Sequence, residues 1–252
     1  MAEMRENRAK RKLQRGEIVT AIAGFHTPDI VDFLGPLGFD AVWIEAEHGP
    51  VTYGDIPHFT RACDLWGMTS IVRVHLNLPG VIYRTLDLGA QGIVVPHVNT
   101  AAETRAVVEA AKFHPLGARG NFTSRQGFGV PSYPHSANEQ SMVIVLIEDI
   151  VAVNNLAEIL EVDQVDVFFV APGDLAQSMG HLGDVSHPEV QATVDKALAQ
   201  IIAAGKTPGT LVTDTTVQRY IQQGARFLYT GWPAWLAAGA TAFLERVAAA
   251  AH

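Results

Sequence analysis

This 252-residue chain holds a single cysteine, Cys63, and no long uninterrupted apolar segment. One cysteine excludes an intrachain disulfide, a CxxC redox pair and a cysteine-rich zinc site, and it fits a reducing cytoplasm. No apolar run approaches about 18 residues without a charge, a glycine or a proline, so no segment is predicted to cross a membrane. The GxSxG motif of serine hydrolases and the P-loop of nucleotide-binding proteins are also missing.

Basic residues are also fewer than acidic residues. Lys and Arg number 18 against 26 Asp and Glu, which leaves a formal net charge of −8. Such a chain lacks the basic face that phosphate backbones require, so we expect no nucleic-acid partner. The one positive cluster is near the N-terminus, and its members are Arg8, Lys10, Arg11, Lys12 and Arg15. It predicts a solvated first helix that ends at Gly16, with a targeting signal or an anion-binding patch as the alternatives.

Apolar runs and helical patterns alternate along the whole chain. Eight runs have strand character and are almost wholly apolar, as in strands buried on both faces: residues 19–25, 41–44, 69–74, 92–95, 143–147, 167–170, 208–212 and 226–230. Helical periodicity marks residues 28–37, 53–65, 79–88, 101–113, 150–160, 188–204, 215–223 and 234–250. This alternation predicts an α/β fold, a (β/α)₈ barrel in one domain spanning residues 1–252. A doubly wound open sheet is the alternative, although no GxGxxG follows the first strand.

Residues 114–140 form a connection that is too long for an ordinary barrel loop. The segment is rich in glycine and proline and has no clean periodicity. Because long loops in compact domains are usually functional, we expect it to reach the active rim or a neighbouring subunit. Its Arg125 is a candidate for contact with a distal substrate carboxylate or with such a subunit.

Polar residues follow the predicted strands at the end where a barrel carries its chemistry; they are Glu45, Glu47, His48, Arg73, His97, Asn99, Glu148 and Asp174. Glu148 and Asp174 end the fifth and sixth strands, so parallel pairing would bring both carboxylates to one rim. Two hard oxygen donors there predict a Mg²⁺ or Mn²⁺ site. The alternative is that Glu148 caps the next helix, a role for which Asp149 competes.

Arg73 and His48 complete a set of groups suited to proton chemistry beside a carbonyl. Arg73 can bind a carboxylate through two parallel hydrogen bonds, and His48 can carry protons near neutral pH. The five lysines, in contrast, all fall away from the carboxyl ends of the strands; they are Lys10, Lys12, Lys112, Lys196 and Lys206. A Schiff-base mechanism needs a lysine at that rim, so metal-assisted chemistry is favoured over it.

A series of motifs runs in order along nearly the whole chain, from residue 5 to residue 246: FDAVWIEAEHGP, IVRV, LDLGAQGIVVPHVNT, PLGARG, VLIED, VFFVAPGDLAQSMGHLGDVSHPEVQ and AGKTPG. The series resembles the HpcH/HpaI aldolases, which are metal-dependent, pyruvate-using enzymes on a (β/α)₈ barrel. The run MGHLGDVSHPEV is similar to the sugar-acid branch of that family, the 2-dehydro-3-deoxyglucarate and 4-hydroxy-2-oxoheptanedioate type.

The resemblance implies a class II aldolase, a carbon–carbon lyase that splits a 4-hydroxy-2-oxo acid into pyruvate and an aldehyde. It implies His48 as the general acid/base and Arg73 as the residue that contacts the pyruvate carboxylate and the enolate oxygen. Asp87 is implied to support the histidine. These three residues are therefore the expected catalytic group.

The resemblance also implies a metal site and a substrate pocket. Glu148 and Asp174 would bind a divalent cation, Mg²⁺, Mn²⁺ or Co²⁺. Substrate binding is assigned to Gly173, Asp174 and Leu211 together with Arg73. Family members usually assemble as hexamers, trimers of dimers that exchange the last helix, so the apolar C-terminal helix is expected to be exchanged between subunits.

Four positions depart from the common family pattern. Glu45 stands where many members have Asp, Leu146 where many have Gln, and His97 where many have Met. The last strand runs into Gly231 and Trp232 instead of a Gly-Ser-Asp type of turn. These departures surround the expected pyruvate pocket, so they bear on the choice of substrate.

Three alternatives to an aldolase stay open at this level. One is a citramalyl- or malyl-CoA-type lyase, which would need a basic surface for the CoA phosphates. Another is an oxaloacetate decarboxylase that uses the same enolate. The third is a barrel that binds a keto acid without converting it, which Leu146 and Glu45 make conceivable.

Overall fold

Eight parallel strands close into a barrel in a computed structural model that describes residues 3–24 and 27–251. Each strand pairs with its neighbours in sequence, and the first pairs with the last. The strands are β1 (Val19–Ala23), β2 (Ala41–Glu45), β3 (Thr69–Arg73), β4 (Gly92–Val95), β5 (Met142–Ile147), β6 (Val167–Val170), β7 (Pro208–Leu211) and β8 (Phe227–Gly231). The predicted (β/α)₈ barrel is confirmed; the last predicted residue of the first strand, Phe25, lies outside the described residues.

Helices follow the strands on the outside of the barrel. They are α1 (Arg8–Gln14), α2 (Pro28–Leu34), α3 (Ile56–Leu65), α4 (Pro79–Asp87), α5 (Ala101–Ala111), α6 (Tyr133–Gln140), α7 (Ile150–Asn154), α8 (Leu156–Leu160), α9 (Pro172–Ser178), α10 (Pro188–Ala203), α11 (Val217–Gln222) and α12 (Trp232–Ala250). The helix predicted over residues 150–160 is divided at Asn155, whose side-chain amide donates to the Asn99 carbonyl oxygen at 2.9 Å. Residues 172–174 open α9, because proline suits the first position of a helix.

Aromatic side chains fill the inside of the barrel. Trp43 packs against Phe169 and Tyr229, with ring centroids 5.4 and 4.6 Å apart. Alanines on β1 and β2 make room for these rings across the barrel. Leu146 belongs to the same cluster and is 1% exposed, so the residue that departs from the family pattern is a packing residue beneath the site.

Helix α1 closes the end of the barrel where the strands begin. Lys10 contacts Asp166 at 3.0 Å, just before β6, and Lys12 contacts Asp40 at 2.8 Å, just before β2. Asn7, the N-cap, is fully buried. The prediction of a solvated first helix is therefore wrong for these two lysines, because the acidic residues that precede the strands neutralise them.

The long segment 114–140 lies at the same end of the barrel as α1. Arg125 pairs with Asp64, and Gln126 donates to the Gly89 carbonyl oxygen at 3.0 Å, just before β4. Contact with a neighbouring subunit stays a prediction, whereas the expectation that this segment reaches the active rim is wrong within one chain. It follows a helix that has already returned to the amino ends of the strands, so its contacts form there, and Arg125 has a structural partner.

The last helix, α12, has no buried residue within its described length. Leu236, Phe243 and Leu244 are each 59% exposed or more. Its first turn is anchored by Trp235, which donates to Asp214 at 3.0 Å and stacks on Phe39. Within residues 3–24 and 27–251, no helix has the length and apolar character needed to cross a membrane.

Candidate active site

Arg73 lies at the centre of the rim where the strands end. Its register partner on β2 is Glu45, which its Nε reaches at 2.7 Å, and its Nη1 reaches Glu47 at 3.1 Å. The side chain is 15% exposed. Burial opposes the charge of this guanidinium, but the two carboxylates outweigh burial and raise the pKa of Arg73. The arginine is thus a fixed cation with unused N–H groups facing the barrel mouth.

Glu45 also shapes the turn that carries His48. Its Oε1 accepts hydrogen bonds from the backbone N–H groups of Glu47 and His48, at 2.8 and 3.0 Å. A Cβ at Gly49 would lie 2.6 Å from the Glu45 carbonyl oxygen, so the turn requires glycine there. The imidazole of His48 is 68% exposed, and its Nε2 lies 3.9 Å from Glu47. This arrangement presents a histidine to an incoming substrate next to Arg73.

Glu47 was predicted only as one of the polar residues that follow the strands, with no role assigned to it. Its side chain is only 9% exposed and lies between Arg73, His48 and His97, whose Nε2 is 3.6 Å from Glu47 Oε1. Burial raises the pKa of this carboxyl, and Arg73 opposes that shift. The only sequence signal was its place directly before His48, after a strand.

Glu148 directly follows β5, and Asp174 is in the first turn of α9, after the adjacent strand β6, so both lie at the same rim and line one cavity. Glu148 is 3% exposed and accepts a hydrogen bond from the backbone N–H of His97 at 2.7 Å. Asp149, and not Glu148, caps α7, since its carboxylate accepts from the Val151 N–H at 2.7 Å. Glu148 is therefore free for another role.

The carboxylates of Glu148 and Asp174 line one small cavity, where a bound cation would be stabilised by both. Burial raises the pKa of Glu148, and the nearby negative charges of Asp174 and Glu47 raise it further. The cavity, of about 120 Å³, is lined by Glu148 and Asp174 together with His97, Asp149, Gln177 and Ser178. The carboxylate donor set fits a hard divalent cation.

A separate group of metal-ligand residue types lies between α9 and α10. His181, His187 and Glu189 bring three potential ligand atoms within 4.8 Å of one another, the one such triple among the described residues. The two imidazoles stack at 3.6 Å, and His187 caps α10 by accepting from the Glu189 N–H. The cluster thus already has a structural role in the helix start.

Asp87, predicted to support His48, lies at the other end of the barrel. It is the last residue of α4, five positions before β4 begins, and its carboxylate accepts from Arg119 at 2.6 Å. A helix that follows a strand ends at the amino side of the sheet, whereas His48 follows the carboxyl end of β2. The structure therefore does not bring Asp87 to His48 within one chain.

Two of the predicted substrate residues, Arg73 and Leu211, line two adjoining cavities, whereas Asp174 lines the small cavity beside Glu148. One, of about 360 Å³, is bordered by Glu45, His48, Arg73 and Tyr229. The other, of about 520 Å³, contains Leu211, which is 42% exposed, and shares Tyr229 with the first. Burial raises the pKa of the Tyr229 phenol, which stays protonated as a hydrogen-bond donor. Tyr229 was not predicted, because its strand reads as wholly apolar packing.

The lysines take no part in this rim. Lys10, Lys12 and Lys206 pair with acidic residues at the amino ends of the strands. Lys112 donates there to the Ser141 carbonyl oxygen at 2.6 Å, and Lys196 is exposed on α10. The argument against a Schiff-base lysine is therefore consistent with the positions of all five lysines.

Comparisons with known proteins agree with this geometry. The profile of the HpcH/HpaI aldolase/citrate lyase family matches residues 23–238. The 4-hydroxy-2-oxo-heptane-1,7-dioate aldolase of Salmonella heidelberg (strain SL476) is 38% identical over 224 residues, which cover 86% of this chain and 85% of that protein. An HpcH/HpaI aldolase/citrate lyase family protein from Burkholderia cenocepacia J2315 superposes with a TM-score of 0.89 at 30% identity, over 96% of this chain and 99% of that one. The citrate synthase SbnG superposes with a TM-score of 0.84 at 26% identity, over 95% and 99% of the two chains.

Proposed function

This chain belongs to the HpcH/HpaI aldolase/citrate lyase family, and we propose that its single barrel domain cleaves 4-hydroxy-2-oxo acids reversibly into pyruvate and an aldehyde. The enzyme is a carbon–carbon lyase of the aldolase type. The observation that carries the proposal is the convergence on one rim of an arginine held by two carboxylates, an exposed histidine, the buried Glu148 and the exposed Asp174. The curated relative is named for a 4-hydroxy-2-oxo acid, which supports the substrate class.

The family depends on a divalent metal in general, and we assign Glu148 and Asp174 as its carboxylate ligands, with Mg²⁺, Mn²⁺ or Co²⁺ as the ion. A bound divalent cation would polarise the keto group of the substrate and stabilise negative charge on its oxygen. Glu148 suits this role because its buried carboxylate is surrounded by other carboxylates. Asp174 is in the first turn of α9, close to the helix N–H groups that have no partner within the helix.

Arg73 and His48 perform the remaining steps. Arg73 would hold the pyruvate carboxylate and the developing enolate oxygen, with Glu45 and Glu47 fixing its orientation. His48 would take the proton from the 4-hydroxyl group as the C3–C4 bond breaks, which releases the aldehyde and leaves the pyruvate enolate. Uptake of a proton at C3 of the enolate then gives pyruvate, and in the reverse reaction His48 returns its proton to the new hydroxyl group. The amide of Gly173 would help to hold the carboxylate. Asp87 stays a predicted supporting residue whose position requires another chain to bring it near His48.

Oxaloacetate decarboxylation is a second reaction that the same residues support. Loss of carbon dioxide from oxaloacetate forms the same pyruvate enolate that Arg73 would stabilise. The acidic chain makes the CoA-dependent lyase the weaker candidate, because its net charge of −8 offers little for CoA phosphates.

The test is pyruvate release from a panel of 4-hydroxy-2-oxo acids, with EDTA and then with Mn²⁺, Mg²⁺ or Co²⁺ restored. We expect turnover that EDTA abolishes and a divalent ion restores. Glu148→Ala should lose metal binding and turnover, whereas Glu158→Ala, an exposed glutamate on α8, should lose neither. Turnover that survives EDTA would refute the metal mechanism. Keto-acid binding without turnover in the wild type would support a non-catalytic barrel.

We propose further that the protein is a homo-oligomer, a hexamer built from dimers, and that it acts in the cytoplasm. The exposed Leu236, Phe243 and Leu244 of α12 support an oligomer, because an apolar helix face is normally covered by a partner. Light scattering of the full chain measures this directly, and a monomeric mass would contradict it.

A further inference from the structure

Tyr229 lies where the two larger cavities of the active rim meet. The cavities share three residues, Tyr229, Gly231 and Pro233. Of these three, only the tyrosine carries a side-chain group that can form a hydrogen bond. The cavity of about 360 Å³ also contains Arg73 and His48. The phenol is therefore on the boundary between the space around these two groups and the cavity of about 520 Å³.

The strand β8 directs Tyr229 into the barrel. Phe227, two positions earlier, packs in the same interior cluster, because side chains at alternate positions of a barrel strand face inwards. Tyr229 follows it towards the carboxyl end of the strand and packs edge-on against Trp43, with ring centroids 4.6 Å apart. These contacts hold the ring in place, while the half-buried side chain borders both cavities.

The hydroxyl group of Tyr229 has no hydrogen-bond partner within residues 3–24 and 27–251. The buried Tyr220, in contrast, donates its hydroxyl proton to Gln191 at 3.5 Å. Burial raises the pKa of the Tyr229 phenol, and Arg73 opposes that shift, so the phenol is protonated near neutral pH. Since buried tyrosine hydroxyls usually find a partner, an oxygen atom of a ligand in the cavity is the partner that this donor fits.

We propose that the Tyr229 hydroxyl donates a hydrogen bond to the C4 oxygen of the substrate, the oxygen that His48 deprotonates. The inference rests on the proposed function and deepens it, because it assigns the group that stabilises negative charge on that oxygen. With the pyruvate half of the substrate held by Arg73, the C3–C4 bond lies at the junction of the two cavities. The aldehyde half then occupies the larger cavity.

This hydrogen bond acts while the C3–C4 bond breaks. His48 takes the proton of the 4-hydroxyl group, and the electron pair of that O–H bond forms the carbonyl bond of the aldehyde. The electron pair of the C3–C4 bond passes into the pyruvate enolate. Negative charge collects on the C4 oxygen during this change, and a neutral donor beside it stabilises that charge. Tyr229 keeps its own proton throughout and, in the condensation direction, polarises the aldehyde carbonyl.

The test removes the hydroxyl group and nothing else. Tyr229→Phe retains the ring that packs against Trp43. Tyr220→Phe is the matched control, because it makes the same change in a buried phenol on α11. Among the described residues, no basic side chain lines the larger cavity, so the probe is 4-hydroxy-2-oxopentanoate, which releases uncharged acetaldehyde. The second substrate is oxaloacetate, which forms the same enolate but has no 4-hydroxyl group; its rate is corrected for decarboxylation by the metal ion alone.

We expect kcat for 4-hydroxy-2-oxopentanoate to fall about 10²-fold in Tyr229→Phe with little change in KM, because the hydrogen bond strengthens in the transition state. Oxaloacetate decarboxylation should stay within about threefold of the wild type, and Tyr220→Phe should change neither rate. An unchanged kcat for 4-hydroxy-2-oxopentanoate in Tyr229→Phe would overturn the inference and leave the proposed function intact. An equal loss with both substrates would overturn the assignment to the C4 oxygen. A wild type that releases pyruvate from neither substrate would overturn the proposed function itself.

Discussion

Replacing Arg73 by lysine tests the arrangement on which the proposed chemistry depends. The guanidinium has five N–H donors: Nε donates to Glu45 at 2.7 Å, and Nη1 forms an ion pair with Glu47 at 3.1 Å. The remaining donors are available to a substrate carboxylate and to an enolate oxygen. Lysine retains the charge but offers donors from a single nitrogen, so it cannot hold both carboxylates and the substrate together.

The expected loss follows from these contacts. Removing one pre-organised donor to a developing oxyanion typically costs about 10²–10³-fold in kcat, or about 2.7–4 kcal/mol. Arg73 also anchors Glu47, which lies 3.9 Å from His48 and 3.6 Å from His97, so the lysine variant loosens both histidines. We therefore expect kcat to fall by about 10³-fold in Arg73→Lys, with a rise in KM from the weakened carboxylate contact.

The assay is pyruvate release coupled to lactate dehydrogenase, with the metal at saturating concentration. Arg125→Lys is the matched control, because it makes the same chemical change in a buried pair with Asp64 at the other end of the barrel. We expect it to lower stability and leave kcat unchanged. A kcat for Arg73→Lys within about threefold of the wild type would refute the role assigned to the guanidinium.

Three further predictions concern stability and assembly. In Asn7→Ala, the carbonyl oxygens of Gln91 and Gln140 lose the hydrogen bonds that the Asn7 side-chain amide donates to them. We expect urea titrations to show a free energy of unfolding that is lower by about 2–4 kcal/mol, with kcat unchanged. A loss under about 1 kcal/mol would count against the stabilising role of α1. Burial lowers the pKa of Lys112 to about 7 from an ordinary 10.5, so the Lys112 ammonium holds its proton more tightly in the unfolded chain than in the folded one. The free energy of unfolding should therefore rise with pH from about 7 towards 10.5, by up to about 1.4 kcal/mol per unit, relative to Lys112→Met; parallel curves for the two proteins would contradict it. Phe243→Glu on α12 should reduce the oligomer mass seen by light scattering, and an unchanged mass would exclude that face from the interface.

Most of the fold was predictable because its signals are local. Strands buried on both faces read as apolar runs, and the eight-fold alternation with helices leaves a closed parallel barrel as the simplest way to bury them. The errors came from contacts between distant residues. Lys10 was read as solvated because Asp166, its partner, is 156 positions away along the chain.

In the candidate site, too, the sequence predicts what depends on short segments and misses what depends on contacts between distant residues. Residues 45–48, Arg73, Glu148 and Asp174 were found from their places after strands, since parallel strands deliver their carboxyl ends to one rim. Asp87 was assigned to the site from a motif. Its position far from His48 in the folded chain becomes evident only when the direction of α4 is known. The positions of Glu47 and Tyr229 between charged neighbours had no sequence signal beyond adjacency to a strand.

The amino-acid pattern alone predicts the barrel, the absence of a lysine from the active rim and most of the polar residues that line it. These follow from periodicity, composition and chain direction, which are properties of short segments. The contacts between polar groups become visible only in the folded chain: Glu47 with Arg73, His97 with Glu148, and Asp87 with Arg119. Such pairs depend on side-chain directions across neighbouring strands and loops, which no single segment of the chain encodes.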